Sequence, residues 1–416
     1  MSTLRITLRA ADRLRAGHLW IYRSDVESKT DGLEAGSLVT ISDRRELPLG
    51  TALYSNASQI AGRLVSHTPA LTREQYLADL RQRIDAAIAL RQAVAPNTTA
   101  HRLIFSEADN LPGIIADRYN DLVLAQLLTQ GTAQDDVRKV LVEALRAGLA
   151  PNGEPLTIWE RPDPRIRELE QLPAPSSEPL FASNELAPTT TTFTLNDLHF
   201  QYDAASGQKT GAFLDQRLNY AAAARIVAAS GRTEKALDIC TYQGGFALHL
   251  AKICSSVTGV DASRSALEAA DRNLLLNPEL AARCETDWVE ADAFEYLRHL
   301  DDIAQKSNAE ADRFDAIVLD PPAFAKSKRA TEGALRGYKE LNLRAMRLLN
   351  PGGTLITNSC SHHVSLEEFT AIVAAAATDA GRRVQLLETH AAAPDHPEIL
   401  TLPETRYLKC LICRVD

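Results

Sequence analysis

Between residues 235 and 414 the sequence alternates short apolar runs with longer segments of helical spacing, and this alternation constrains the fold more than any other feature. Strand-like runs fall near 235–240, 256–261, 285–290, 314–320, 352–359, 383–388 and 405–414. Helical patterns fall near 245–253, 263–275, 292–304, 333–349 and 365–380. Alternation of this kind predicts a doubly wound α/β domain with a parallel sheet. In such sheets ligands bind beyond the carboxyl ends of the strands. Two runs end in reactive groups: Phe314-Asp-Ala-Ile-Val-Leu leads into Asp320-Pro321-Pro322, and Gly353-Thr-Leu-Ile-Thr-Asn into Ser359-Cys360-Ser361. A carboxylate and a thiol are therefore expected in one crevice.

The first strand of this region, Ala236-Leu-Asp238-Ile-Cys, enters the turn Thr-Tyr242-Gln-Gly244-Gly245 and then a helix. Gly244 and Gly245 are expected to let backbone approach a ligand closely, and the helix start offers unpaired N–H groups. Asp261 ends the second strand, where it can accept hydrogen bonds from ribose hydroxyls. Asp292 follows the third strand, where a carboxylate can meet an adenine amino group. The G-x-G-x-x-G fingerprint of a dinucleotide site is absent. S-adenosylmethionine carries no phosphate and needs no such turn, so it is the cofactor these residues suit.

A thiol beside a carboxylate suits methyl transfer to a pyrimidine carbon. Carbon 5 of cytosine is a poor nucleophile until a thiolate adds to carbon 6, which is covalent catalysis. Cys360 is the candidate nucleophile. Asp320 is the candidate general acid at the ring nitrogen. Cys240, Cys254 and Cys284 read as small buried hydrophobes. Cys410-Leu-Ile-Cys413 has the spacing of half a zinc site, but no second pair exists and no metal is expected. His362-His363 reads as plain loop, and the lack of a G-x-S-x-G elbow excludes a serine hydrolase of that type.

The chain has 416 residues, 45% of them hydrophobic, enough for two or three domains. No apolar run is long enough to span a membrane, and six cysteines in this length make no disulfide framework. A cytoplasmic protein with reduced thiols is expected, with no membrane partner. Residues 1–70 alternate like short strands punctuated by Gly17, Gly32, Gly36, Gly50 and Gly62. Residues 71–190 mix a helix over 72–92, a hairpin turning at Asn120-Asp121, a helix over 133–149 and a strand at 156–160. The stretch 162–190 carries six prolines and reads as irregular chain. Three domains are thus expected, at 1–70, 71–190 and 191–416.

Net charge is −9, yet two runs are locally basic. Arg5, Arg9, Arg13, Arg15 and Arg23 stand against one acid, Asp12. Seven Lys/Arg between Pro321 and Arg347, Lys326, Lys328 and Arg329 among them, stand against Glu332 and Glu340. Local basic surface can bind phosphates despite an acidic total.

Taken together, Gly207-Gln-Lys-Thr-Gly-Ala-Phe-Leu-Asp-Gln216-Arg217, Tyr242-Gln-Gly-Gly-Phe246, Asp320-Pro-Pro-Ala-Phe324 and Ser359-Cys-Ser361 resemble the large-subunit rRNA cytosine-5 methyltransferase I family. Upstream, Gly17-His-Leu-Trp-Ile-Tyr22 resembles the opening of that family's PUA module, and Glu107-Ala-Asp-Asn-Leu-Pro-Gly-Ile-Ile-Ala-Asp-Arg-Tyr119 its central domain. The resemblance implies a Rossmann-like class I methyltransferase domain behind an N-terminal PUA β module and a central α+β domain. It implies S-adenosylmethionine as donor, ribosomal RNA (23S) as substrate and Cys360 as nucleophile. It also implies that Asp215-Gln216-Arg217 lies against the methionine end of the donor, where an arginine would pair with the carboxylate. Two departures from the family pattern are Gln243, where a threonine is usual, and His362-His363, where glycine is common. Relatives with the Asp-Pro-Pro core that methylate guanine nitrogen need no thiol, and a catalytically silent RNA-binding module is the alternative from another class. Assembly is not legible in the sequence; a homodimer is compatible with it.

Overall fold

The computed structural model describes residues 2–161, 163–204, 211–307, 313–324 and 331–416. Two compact units divide the chain. The first comprises Met1–Phe193, Tyr202–Gly211 and Pro394–Thr405, and the second comprises Thr194–Gln201, Ala212–Ala393 and Arg406–Asp416.

The first unit holds two five-stranded sheets. Strands β1 (Thr3–Arg5), β2 (Trp20–Tyr22), β3 (Leu38–Ser42), β4 (Pro48–Tyr54) and β5 (Ile60–Ser66) pair in the order β1-β3-β4-β5-β2. The alternating N-terminus forms strand only as far as Arg5, and helix α1 (Leu8–Arg15) follows. Thr7 Oγ1 accepts from Ala10 N at 3.3 Å and caps α1, while Ala10, Ala11 and Leu14 give it a buried stripe. Helix α2 (Arg73–Val94) starts from a capping box in which Thr72 and Gln75 satisfy each other's backbone N–H groups. Strands β6 (Ala100–Phe105), β7 (Ile114–Tyr119) and β8 (Leu122–Leu127), helix α3 (Asp135–Leu149), β9 (Thr157–Glu160), the short α4 (Pro164–Leu169) and β10 (Phe181–Ala182) complete the unit. Their sheet order is β10-β9-β8-β7-β6, and the β7–β8 hairpin turns at Asn120, where φ is 54°.

A hairpin of β11 (Thr190–Leu195) and β12 (Leu198–Asp203), which the sequence pattern did not reveal, has residues in both units. Its turn is Asn196-Asp197, with φ of 50° and 67°, the left-handed pair a two-residue hairpin needs.

The second unit is built on one seven-stranded sheet. Its elements are α5 (Arg217–Ser230), β13 (Lys235–Ile239), α6 (Gly245–Ala251), β14 (Ser256–Asp261), α7 (Arg264–Leu275), α8 (Pro278–Arg283), β15 (Glu285–Glu290), α9 (Ala293–Ser307), β16 (Phe314–Leu319), α10 (Thr331–Leu348), β17 (Leu349–Ser359), α11 (Leu366–Ala380), β18 (Val384–His390) and β19 (Lys409–Val415). The strand order is β15-β14-β13-β16-β17-β19-β18. Strand β13 pairs in parallel with both β14 and β16, so the order reverses beside it, and a ligand crevice opens at such a point. The expectation of a parallel sheet needs correction at one edge: β19 runs antiparallel to both β17 and β18. No α-helix connects β18 to β19, so no crossover returns the chain to a parallel start. Helix α5 was not expected either. Its inner face buries Arg217, Asn219 and Tyr220 among alanines, which hides the apolar period.

Candidate active site

The turn after β13 is the most strained backbone of the site. Cys240, Tyr242 and Gly244 have φ of 64°, 51° and 83°. The two non-glycine residues each cost about 1–2 kcal/mol in this region. Two carboxylates hold them there. Asp238 Oδ2 accepts from Thr241 Oγ1 at 2.6 Å and from Ala247 N at 2.9 Å. Asp261 Oδ2 accepts from Tyr242 N at 2.9 Å, and its Oδ1 from Ser263 N at 2.9 Å. Asp238 is fully buried, and burial pushes its carboxyl up to about 7, against the pull of Thr241 and Ala247. Its Oδ1 is a buried acceptor with no partner.

The two glycines differ in their reasons. Gly244 is demanded by its left-handed φ. Gly245 lines the cavity at this turn, and a Cβ there would stand 2.5 Å from Tyr220 Cζ, so the position has no room for a side chain. Above this turn lies a small cavity of about 20 Å³, lined by Phe200, Phe213, Cys240, Tyr242, Gln243, Gly245 and Asp320 among others.

The remaining cofactor candidates lie around the same edge. Asp292 Oδ1 accepts from Phe294 N at 2.9 Å and Glu295 N at 3.1 Å, capping α9. Gln216 is buried and its amide is committed: Nε2 donates to Asp320 Oδ1 at 3.0 Å, and Oε1 accepts from Asn219 Nδ2 at 2.6 Å. Arg217 is buried at the start of α5, and its carbonyl accepts from Asn196 Nδ2 at 2.8 Å. Burial raises the Asp320 carboxyl well above the usual carboxylate range, with Asp238 and Asp215 adding to the shift and Gln216 opposing it. Asn196 also donates to His249 Nε2 at 2.9 Å, while His249 Nδ1–H donates to the Gly245 carbonyl at 2.7 Å. The imidazole is thus neutral, and burial lowers it to about 4.

The thiol side is assembled differently. Strands β16 and β17 are parallel neighbours, so the loops after them meet. Cys360 Sγ stands 3.9 Å from the Pro321 carbonyl oxygen. Its flanking serines are fully buried and point into α10: Ser359 Oγ donates to Tyr338 Oη at 3.0 Å, and the Tyr338 and Ser361 hydroxyls share a bond of 2.9 Å. Lys409, the first residue of β19, donates from Nζ to the carbonyls of Ser361 at 2.7 Å, Val364 at 2.8 Å and Tyr407 at 2.8 Å. His362 lies against Tyr407, ring centroids 5.4 Å apart. Sequence reasoning missed Asn219, Tyr338 and Lys409. Only Lys409 left a signal, a single charge in the apolar run Leu408–Cys413.

The basic runs are largely spent within the protein. Arg13 pairs with Asp25 at 2.6 Å and Arg15 with Asp43 at 2.6 Å, while Arg23 donates to the carbonyls of Ser55 and Ser58. Arg13, Arg15 and Arg23 are thus engaged within the protein, while Arg5, Arg9 and Arg15 are exposed. In the second run Arg336 pairs with Glu332, Lys339 with Asp379, and Arg344 and Arg347 with Asp301. Lys326, Lys328 and Arg329 lie outside the described residues. Among the described residues no group of three or more His, Cys, Asp or Glu could hold a metal ion. No described helix is long and apolar enough to cross a membrane.

A strained turn at the sheet's reversal point, an acceptor atom waiting beside it and carboxylates at successive strand ends suit a sulfonium nucleoside with an amino-acid tail. A family profile described as S-adenosylmethionine-dependent methyltransferase matches residues 141–412, and one described as a PUA-like domain matches residues 4–67. The chain is a class I methyltransferase whose methyl donor is S-adenosylmethionine. Its curated relatives include the ribosomal RNA large subunit methyltransferase I proteins of Cronobacter sakazakii, 36% identical over 96% of this chain and 95% of the relative, and Klebsiella pneumoniae, 35% identical over 96% and 94%. The chain belongs to that family. Two solved structures share its fold over 100% of both chains with a TM-score of 0.77: a methyltransferase complexed with SAH, at 19% identity, and a methyltransferase from Streptococcus mutans, at 20%.

Proposed function

We propose that the protein methylates carbon 5 of a cytosine in 23S ribosomal RNA through a covalent adduct with Cys360. The observation that carries this reading is the 3.9 Å approach of Cys360 Sγ to the Pro321 carbonyl, which brings a half-exposed thiol beside Asp320. The relatives' substrate, large-subunit ribosomal RNA, supports the choice of polymer.

For the donor, the unpartnered Oδ1 of Asp238 suits its ammonium and Arg217 its carboxylate. Asp261 keeps lone pairs for ribose hydroxyls beyond the two backbone amides it already holds, and Asp292 Oδ2 suits the adenine amino group. Tyr242, Gly244 and Gly245 shape the turn beneath it, and Gln216 orients Asp320. When bound, the donor supplies an electrophilic methyl group.

The Cys360 thiolate adds to carbon 6, and the electrons of the carbon 5–carbon 6 double bond become available at carbon 5. Asp320, protonated because its acidity is suppressed, donates to the ring nitrogen as charge builds there. After carbon 5 is methylated its proton passes to water, the double bond re-forms as the thiolate leaves, and the ring nitrogen returns its proton to Asp320. The target base must leave its stack to reach the thiol. RNA bearing 5-fluorocytosine at the target cannot lose a proton from carbon 5, so its adduct should survive denaturing electrophoresis. Cys360→Ser should abolish it and Cys240→Ser retain it. A guanine-nitrogen enzyme would form no adduct, and full activity in Cys360→Ser would promote that assignment.

Residues 1–70, which include exposed Arg5 and Arg9, are proposed to grip RNA phosphates. Affinity should fall with salt as counterions are released. Arg5→Ala with Arg9→Ala should weaken RNA binding without changing donor binding.

A further inference from the structure

We infer that Lys409 is a positioning residue that supplies the fixed cation for the Cys360 thiolate. Its place in the fold carries the inference. Lys409 lies directly across from Ser359 in the β17–β19 pairing and is 4% exposed. An ammonium has three N–H groups, and here each meets a carbonyl oxygen, of Ser361, Val364 and Tyr407, at 2.7–2.8 Å. Two of those carbonyls belong to the loop that carries Cys360. Among the described residues no carboxylate comes within ion-pair distance of Lys409.

A buried charge without a counter-ion is costly, and an uncharged side chain of similar length would fill the space at lower cost. The charge therefore calls for an anion that forms nearby. The titratable groups that act on Lys409 are Cys360 first and Glu368 second, both favouring its protonated form, while burial lowers it to about 8. A lysine in that condition is still protonated at neutral pH, and it responds to whether Cys360 is charged. The contrast with the protein's other thiols supports the same reading: burial pushes Cys254 and Cys413 up to about 12, which leaves them inert. Cys360 differs in lying, half-buried, on a loop that a lysine ammonium grips through two carbonyls. The Tyr338 hydroxyl grips the side chains of Ser359 and Ser361 on the other side, so loop and charge are fixed in register before any substrate arrives.

The consequence for turnover rests on Cys360 being the nucleophile, but the electrostatic coupling can be tested without RNA. Full-length protein is treated with iodoacetamide across a pH series, and alkylation of the Cys360 peptide is followed by mass spectrometry. Lys409→Met and Lys409→Gln should each shift the pH–rate profile upward by about one unit, making alkylation at pH 7 about tenfold slower. Tyr338→Phe loosens the loop without removing charge and should leave the midpoint in place. An unmoved midpoint in either Lys409 variant that still binds S-adenosylmethionine overturns the inference. If both variants fail to fold, the native protein decides: Cys360 should alkylate with a midpoint below that of the urea-unfolded chain, and a midpoint at or above it overturns the inference. A shifted profile together with no 5-fluorocytosine adduct would remove the cytosine assignment while leaving the Lys409–Cys360 coupling intact.

Discussion

The two sides of the sheet's carboxyl edge are made in different ways. On the β13–β15 side, side chains hold backbone close by in sequence. Asp238 reaches residues three and nine positions away, Asp292 caps the helix that follows it, and Asp261 reaches Ser263 two positions away and, as the longest hold, Tyr242 nineteen away. On the β16–β19 side most holds are distant, Lys409 to Tyr407 being a local exception. Gln216 and Asp320 are 104 residues apart, Cys360 and Pro321 are 39 apart, Tyr338 and Ser361 are 23 apart, and Lys409 and Ser361 are 48 apart. In the proposed mechanism the first side takes the donor, for which short local loops suffice, and the second carries the thiol that meets the RNA and is braced by separate elements.

The largest effect should come from the thiol itself. Cys360→Ser should cut methyl transfer to RNA at least about a thousandfold, as loss of a covalent nucleophile does, while calorimetry shows donor affinity within about twofold of the parent. A parallel loss of donor binding would mean the two sides are not separate.

Tyr338→Phe should come next. It leaves two fully buried serine hydroxyls without their shared partner, at a cost of about 2 kcal/mol in denaturant unfolding. Turnover should fall with donor affinity unchanged. A variant as stable as the parent would show that the serine clamp is not needed.

The donor side should announce itself through pH. Asp238 in the donor-free protein titrates near 7, and a proton competes with the donor's ammonium for it. The donor dissociation constant should therefore rise by about tenfold for each pH unit below about 7, and Asp238→Asn should flatten that dependence at a weaker overall affinity. The sign for stability is opposite. The folded value lies above the unfolded one, so the contribution is present at low pH and is lost as pH rises from about 4 through about 7. Donor binding should offset that loss, visible as a larger ligand-induced rise in melting temperature at pH 8 than at pH 6.

Asp261→Ala should have the smallest effect, a severalfold loss of donor affinity, since each hydrogen bond is worth about 1 kcal/mol. Because Asp261 also pins Tyr242 in its left-handed conformation, the change should not alter the Cys360 alkylation profile. If it does, strain in the β13 turn is transmitted to the thiol side.

Much of the donor side could be read from the chain. The ends of β14 and β16 are marked by apolar runs stopping at Asp261 and Asp320, and a carboxylate that caps a nearby turn, as Asp261 and Asp292 do, works within a few residues of where it stands in the sequence. Cys360 was legible for the same reason: a strand's end fixes the loop that carries it. The polar inner face of α5, the hairpin turning at Asn196-Asp197 and the reversal of β19 were not legible, because the first breaks the apolar period and the others depend on which neighbour a segment meets.

Composition determined by itself that the chain would build a large core, and its alternating pattern determined the class of sheet. Only the tertiary structure decided which charges were free to act. Arg13 and Arg15 were charges in a basic run until Asp25 and Asp43 came within 2.6 Å of them, and Gly245 was one of two turn glycines until Tyr220 packed where its side chain would be. Lys409 was one charge in an apolar strand until three carbonyls closed around it beside Cys360. The physical reason is common to all three. A side chain's period in the sequence says whether it turns inward, but its charge and hydrogen bonds are settled by partners that only folding brings within 3 Å or so.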